Sequence, residues 1–126
     1  MEFNKYYVCD NNGKSNCVIR SFCKMYNKEY DEVLNELNSI TEELKASSFN
    51  DIEVFEEYIK RHNGIPIVCN NDVLIKNLDL EKGKYLIFCW DKKDYYHMVA
   101  IINNVLFDKN DDSLELYPIT IYKQMD

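Results

Sequence analysis

Three side chains in this 126-residue chain have the types needed for acyl-transfer chemistry: Cys17, His97 and Asp108. Cys17 lies in Gly13-Lys-Ser-Asn-Cys-Val-Ile-Arg-Ser-Phe-Cys-Lys-Met-Tyr26, a stretch that reads as a loop turning into a helix at the cysteine. Ile19, Phe22, Cys23 and Tyr26 recur at i, i+3, i+4 and i+7, the spacing of one buried helix face. A thiol in the first turn meets the positive end of the helix dipole and unpaired backbone N–H groups, and both favour the thiolate. The Asn and Ser before it suit a cap position. The alternative for Cys17 is a small packing cysteine, the commoner fate of a free thiol.

His97 and Asp108 are connected by a register argument. Asn103-Asn104 suits a two-residue hairpin turn because Asn tolerates positive φ. Ile102 then faces Val105, and counting outward Val99 faces Asp108 and His97 faces Asn110. Side chains alternate across a sheet, so His97, Val99 and Ile101 share a face with Leu106, Asp108 and Asn110. His97 and Asp108 become diagonal neighbours, roughly 7–8 Å apart by backbone and within reach of each other's side chains. A carboxylate accepting from one imidazole nitrogen fixes the tautomer and leaves the other nitrogen free to act as a base. Asn110, opposite His97, is a rival orienter. The bland alternatives are a strand-end histidine half in water and a solvated carboxylate opening the acidic run 108–115. Asp108-x-Asn110-x-Asp112 also begins like a calcium loop, but Ser113 stands where the glycine belongs and Ile119 where the closing glutamate belongs.

The elements that must position these groups follow from patterning. Phe3 to Cys9 reads as an edge strand or extended arm, and Asp10-Asn-Asn-Gly13 as a turn. A second helix is expected over 31–46 with Val33, Leu37, Ile40 and Leu44 on one stripe. Asn50 with Glu53 resembles a capping box for a third helix, with Phe55, Tyr58, Ile59 and His62 buried and Gly64 as its stop. Ile65 to Cys69 reads as an edge strand because of Pro66. Val73 to Leu80 fits no single pattern, a helical turn being one reading. Tyr85 to Trp90, Tyr96 to Ile102, Val105 to Asp108 and Leu114 to Tyr122 complete a run of strands. Helices followed by strands predict a single α+β domain with an antiparallel sheet.

Composition narrows the partners. The net charge is −7, which argues against nucleic acid and anionic membranes, since both call for a basic face. The N-terminus has no apolar signal core and no window approaches a transmembrane length. Five cysteines, odd in number and without a CxxC, read as reduced thiols in a cytosol rather than disulfides or a zinc site.

The order of a cysteine opening the first helix, further helices, then His on one strand and Asp on the next resembles that of papain-like cysteine peptidases. The residues carrying the resemblance are Asn16-Cys17-Val-Ile-Arg-Ser-Phe22 and Tyr96-His97-Met-Val-Ala-Ile-Ile102 with Leu106-Phe107-Asp108. They look like the compact members: the peptidase domain that processes bacteriocin leaders, and small bacterial and phage proteins with a Cys-Val-Ile-Arg start. The resemblance implies Cys17 as nucleophile, His97 as its ion-pair partner and Asp108 as orienter, with a peptide or protein substrate and no metal or cofactor. In that family a Gln about six residues before the Cys helps hold the oxyanion; the matching position here is Asn11, one methylene shorter, with Asn12 or Asn16 as substitutes. The implied reaction is acyl transfer or hydrolysis, and the same parts serve peptidases, amidases, deamidases and transglutaminase-like enzymes. Arg20 is expected on the exposed side of its helix or paired with an acid, with no chemical role. Two other functions fit the chain: a non-catalytic protein, phage-encoded, that binds a host protein through Trp90, Tyr95 and Tyr96, and a toxin or antitoxin of a mobile element.

Overall fold

The first helix begins where the sequence supplies a cap. The Asn16 side chain accepts hydrogen bonds from the backbone N–H of Val18 and Ile19, and α1 runs from Cys17 to Tyr26 in the computed structural model, which describes residues 1–126. It ends at Asn27, which takes a left-handed conformation (φ 54°) and returns its N–H to Cys23. The helix is buried nearly all round. Ile19, Phe22 and Cys23 fill the expected face, and Val18, Arg20, Ser21 and Met25 are buried as well. Arg20 is therefore not on an exposed side; it is paired with an acid in the interior.

Two further helices, α2 (Tyr30–Leu44) and α3 (Ile52–Arg61), pack with α1 on one face of a sheet. Val33, Leu37 and Ile40 carry the α2 stripe, while Leu44 at its end is exposed. The expected capping box of α3 does not form. Asp51 precedes the helix instead, its carboxylate taken by the backbone N–H and hydroxyl of Ser47, and the Asn50 side chain turns back to Asn16. His62 is the C-terminal cap residue of α3 rather than part of its buried face.

The positive φ beyond α3 falls on Asn63 (66°), not on Gly64. Gly64 is needed for a different reason: a Cβ there would run into the Ile59 side chain, itself buried. Gly64→Ala is expected to destabilise the fold by roughly 1–3 kcal/mol, the usual range for overpacking, with no change in the denaturant m-value.

The sheet has six strands: β1 (Glu2–Lys5), β2 (Gly64–Ile67), β3 (Lys84–Trp90), β4 (Tyr96–Ile102), β5 (Val105–Asp108) and β6 (Tyr117–Gln124). Their spatial order is β1-β5-β4-β3-β6-β2. β2, with Pro66, lies at one edge as expected. At the other edge β1 runs parallel to β5, so the sheet is mixed rather than antiparallel. Three helices and three strands separate β1 from β5 along the chain, a connection long enough to allow a parallel pairing that a hairpin forbids. The last strand begins later than expected, because residues Asp111–Glu115 form a 3₁₀ turn capped by Asn110. Ile75–Asn77 form a second such turn within the unassigned 73–80 stretch.

Leu86, Met98, Ala100 and Tyr122 face the helices, whereas Ile87, Val99, Ile101, Leu106 and Ile121 face away. The second face is covered by the two 3₁₀ segments and their loops, through Ile75, Leu78, Leu80, Leu114 and Leu116. No helix is long and apolar enough to cross a membrane.

Candidate active site

Cys17 is the first residue of α1, so its own backbone N–H has no intrahelical acceptor. The helix is fixed against β4 one turn further on, where the Ser21 hydroxyl donates to the Met98 carbonyl at 2.9 Å. That docking brings Cys17, His97 and Met98 together as lining residues of one cleft.

The hairpin of β4 and β5 places the other two groups. Asn103 and Asn104 both take positive φ (50° and 65°), and Ile102 pairs with Val105 as the turn chemistry predicts. The ladder stops at Ala100 opposite Phe107, leaving the last side chains of the two strands to meet across its open end. His97 Nε2 lies 2.7 Å from Asp108 Oδ2. The contact expected from register is thus present. The backbone of Asp108 is held in turn by β1: Lys5 pairs with it, and the Tyr6 N–H donates to its carbonyl at 2.8 Å.

Asp108 is 2% exposed, and its carboxylate is fully subscribed. Besides His97, Oδ2 accepts from the Ser113 hydroxyl at 3.0 Å. Oδ1 accepts from the Arg20 guanidinium at 3.0 Å and from the Lys109 N–H at 2.8 Å. Burial by itself pushes this carboxyl up, but the hydrogen bond and charge of His97, the Lys109 N–H and the Arg20 cation together hold it below its ordinary value.

With Nε2 engaged by Asp108, Nδ1 is the nitrogen left for the thiol. The Tyr95 hydroxyl stands 3.3 Å from Nδ1, its ring stacked on the imidazole. Burial favours the neutral ring, yet the Asp108 hydrogen bond and the contact and charge of Cys17 outweigh it and raise the His97 pKa to about 9. Burial likewise opposes the thiolate; the His97 contact, its charge, the Met98 backbone and the Arg20 cation reverse this and lower the Cys17 pKa. These two groups titrate as a unit. The two shifts run in opposite directions and both favour a thiolate with a protonated imidazole, the charge state of a nucleophile with a proton donor at its side.

The thiol opens into a cleft of 200 Å³ lined by Asn16, Val18, Asn50, Phe55, Phe88 and Tyr96. A broader hollow of 590 Å³ continues it, sharing Asn50, Phe88 and Tyr96 and bounded by Ile52 and Glu53. Phe88, Tyr96 and Trp90 form a stack, with centroid separations of 5.8 and 5.6 Å. Asn11 is exposed in the Asp10–Gly13 turn and is not among the residues lining the cleft. The Asn16 carbonyl oxygen is spent on the α1 cap, and its amide donates to Asn50 Oδ1 at 3.1 Å. Asn50 thereby has its own NH₂ group free at the cleft. Asn110 caps the 3₁₀ turn through Asp112 N–H and lines a polar cavity on the far side of His97, without bonding to the ring.

Four contributors escape the sequence reading. Arg20 was one turn from Cys17 on the same helix, a spacing that places a cation near the thiol and could have flagged it. Ser113, Asn50 and the Tyr95 contact to the ring depend on loops whose course no periodicity encodes.

Comparisons with protein-family models, with curated proteins and with solved structures return no match to this chain.

Proposed function

We propose that the protein is a small cysteine hydrolase of papain-like type, a peptidase or amidase, that cleaves an amide bond through Cys17, His97 and Asp108. The observation that carries this reading is the Asp108–His97 bond at 2.7 Å, with Cys17 and His97 lining the same cleft. A buried carboxylate, an imidazole and a thiol in sequence have little to gain in stability from their arrangement, since buried ion pairs contribute weakly to folding.

In the reaction, Cys17 Sγ bonds to the carbonyl carbon while the carbonyl π pair moves onto oxygen. The Cys17 N–H is free to meet that oxygen, and the Asn50 NH₂ is the second donor in reach of the cleft. Collapse of the tetrahedral species breaks the C–N bond, and the leaving amine takes the Nδ1 proton of His97. Water then attacks the thioester, giving its proton back to Nδ1 and releasing the acid and the thiolate. Asp108 holds the tautomer throughout. This chemistry calls for no metal or cofactor. The apolar cleft suits a peptide or protein chain with an apolar side chain beside the scissile carbonyl, and the acidic surface suits a cytosolic setting without nucleic-acid or membrane partners.

The test is the pH dependence of Cys17 alkylation by iodoacetamide, read by mass spectrometry of the Cys17 peptide. Labelling is expected to be rapid already at pH 6, where an ordinary thiol of pKa about 8.5 is mostly protonated. A profile matching a free thiol at every pH removes the proposal. A second reading, a non-catalytic binder, is favoured by the exposed Tyr95, Tyr96 and Ile52 around the cleft. It gains if Cys17 is inert and one host protein is retained equally by the wild type and Cys17→Ala.

A further inference from the structure

Arg20 is the only lysine or arginine buried in the molecule, at 3% exposure, and neither prong of its guanidinium is idle. One nitrogen donates to Asp108 Oδ1 at 3.0 Å. The other donates to the Ser15 hydroxyl at 2.8 Å, and Ser15 in turn donates to the Val8 carbonyl at 2.7 Å. Ser15 is two residues before Cys17 and Arg20 is three after it. The side chain therefore grips the chain on one side of the nucleophile and springs from the helix on the other.

We propose that Arg20 is a positioning residue for the Cys17–His97 pair, tying α1 to the hairpin: Arg20 bonds Asp108, Asp108 bonds His97, and His97 lines one cleft with Cys17. The inference rests on the hydrolase reading of the site and adds a fourth member to it.

Geometry and charge both support the role. His97 and Asp108 are placed by the β4–β5 hairpin, whereas Cys17 is placed by α1, and Arg20 is the side chain of α1 that bonds directly to the hairpin carboxylate. With Oδ1 held by Arg20 and the Lys109 N–H, Oδ2 is aimed at the ring. In its reactive state the cluster holds two negative groups, Cys17 and Asp108, and two positive ones, His97 and Arg20. Removing Arg20 leaves a net negative charge facing the thiolate. No neighbour replaces it. Cys89 on β3, Tyr95 before β4, Tyr6 after β1 and Tyr30 at the start of α2 are all acids that feel this cluster. Lys24, the next cation on α1, lies over the rings of Phe107 and Tyr6. A purely structural strut is a poor account of the pair, because a buried ion pair is no more stabilising than well-packed apolar groups of the same size.

The experiment compares Cys17 alkylation by iodoacetamide from pH 4 to 9.5 in the wild type, Arg20→Gln and Arg20→Lys, with near-UV circular dichroism as the check on folding. Gln keeps a donor for Asp108 without charge; Lys keeps the charge without the fork. In Arg20→Gln the rise of the labelling profile is expected to move to higher pH, lowering the rate at pH 6 by about tenfold. Arg20→Lys is expected to restore the wild-type midpoint. A folded Gln variant whose midpoint coincides with the wild type overturns the inference, as does a folded Lys variant that fails to restore it. Should the Gln variant not fold, Arg20→Met, which removes the charge and keeps the apolar stem, takes its place, and a folded Met variant with the wild-type midpoint overturns the inference. A wild-type profile that is already that of an ordinary thiol overturns the hydrolase reading, and this inference with it; a low wild-type midpoint unmoved by substitution overturns the role of Arg20 alone.

Discussion

Cys17→Ala is expected to abolish hydrolysis, lowering kcat by about 10⁴-fold or more, while changing stability at pH 6 by no more than about 1 kcal/mol. The second half of the expectation is the more informative. In the wild type, His97 holds a proton in the fold between pH 6.5 and about 9 that it lacks when unfolded. Cys17, whose pKa is lowered in the fold, gives up its proton at a lower pH there than when unfolded. The proton lost by the thiol offsets the one gained by the ring, which flattens the dependence of stability on pH. Deleting the thiol removes the compensation. His97 stays raised by Asp108, so its contribution in Cys17→Ala is fully present below pH 6.5 and is lost as pH rises through the folded value. Urea denaturation at pH 6 and pH 9 measures this: the wild type changes little, and the variant loses stability at the higher pH. Equal slopes in the two proteins rule out an ion pair between Cys17 and His97.

Asp108→Ala is expected to have the largest effect on the fold itself. Four donors lose their acceptor at once, among them a guanidinium that is 3% exposed. Stranding a buried charge in this way costs about 3–5 kcal/mol, which lowers Tm by on the order of 10–20 °C in a domain of this size. Asp108→Asn keeps the shape and separates the roles. It retains an acceptor for the ring but not the charge, so His97 titrates lower and the upper limit of the activity profile moves down from about 9. A loss in kcat of roughly 10²–10⁴-fold is expected from the disturbed tautomer. Acid behaviour adds a check. The lowered Asp108 pKa contributes stability that is present above the ordinary carboxylate value and is lost as pH falls through the folded one, and Asp108→Asn lacks that component. Calorimetry from pH 3 to 7 reads both; an Asn variant with the wild-type acid profile contradicts the picture.

What could be read from the chain tracks how local the physics is. The two-residue Asn103-Asn104 turn fixes register, register fixes faces, and the contact between His97 and Asp108 follows from counting. The α1 cap and stripe were equally local. The parallel pairing of β1 was not, because an N-terminal arm can join either edge and no short-range signal selects one. Asn50 and Glu53 had the spacing of a capping box, yet Asn16 competed for the Asn50 side chain across the fold. Arg20 was left between an exposed side and an acidic partner for the same reason: helical periodicity assigns a charged residue to water unless a buried partner is known, and its partner lies 88 residues away.

The β4–β5 hairpin carries His97 and Asp108 within twelve residues, while the Cys17 sulfur arrives from the other end of the chain. Half of the site is thus a short-range product of folding and half a long-range one. A nascent or partly melted chain can have its imidazole and carboxylate in register and still carry an unreactive thiol. On the proposed hydrolase reading, the thiol gains its reactivity only when the first helix seats against the sheet, so the rate at which Cys17 takes up an alkylating reagent is expected to serve as a clock for the last stage of assembly.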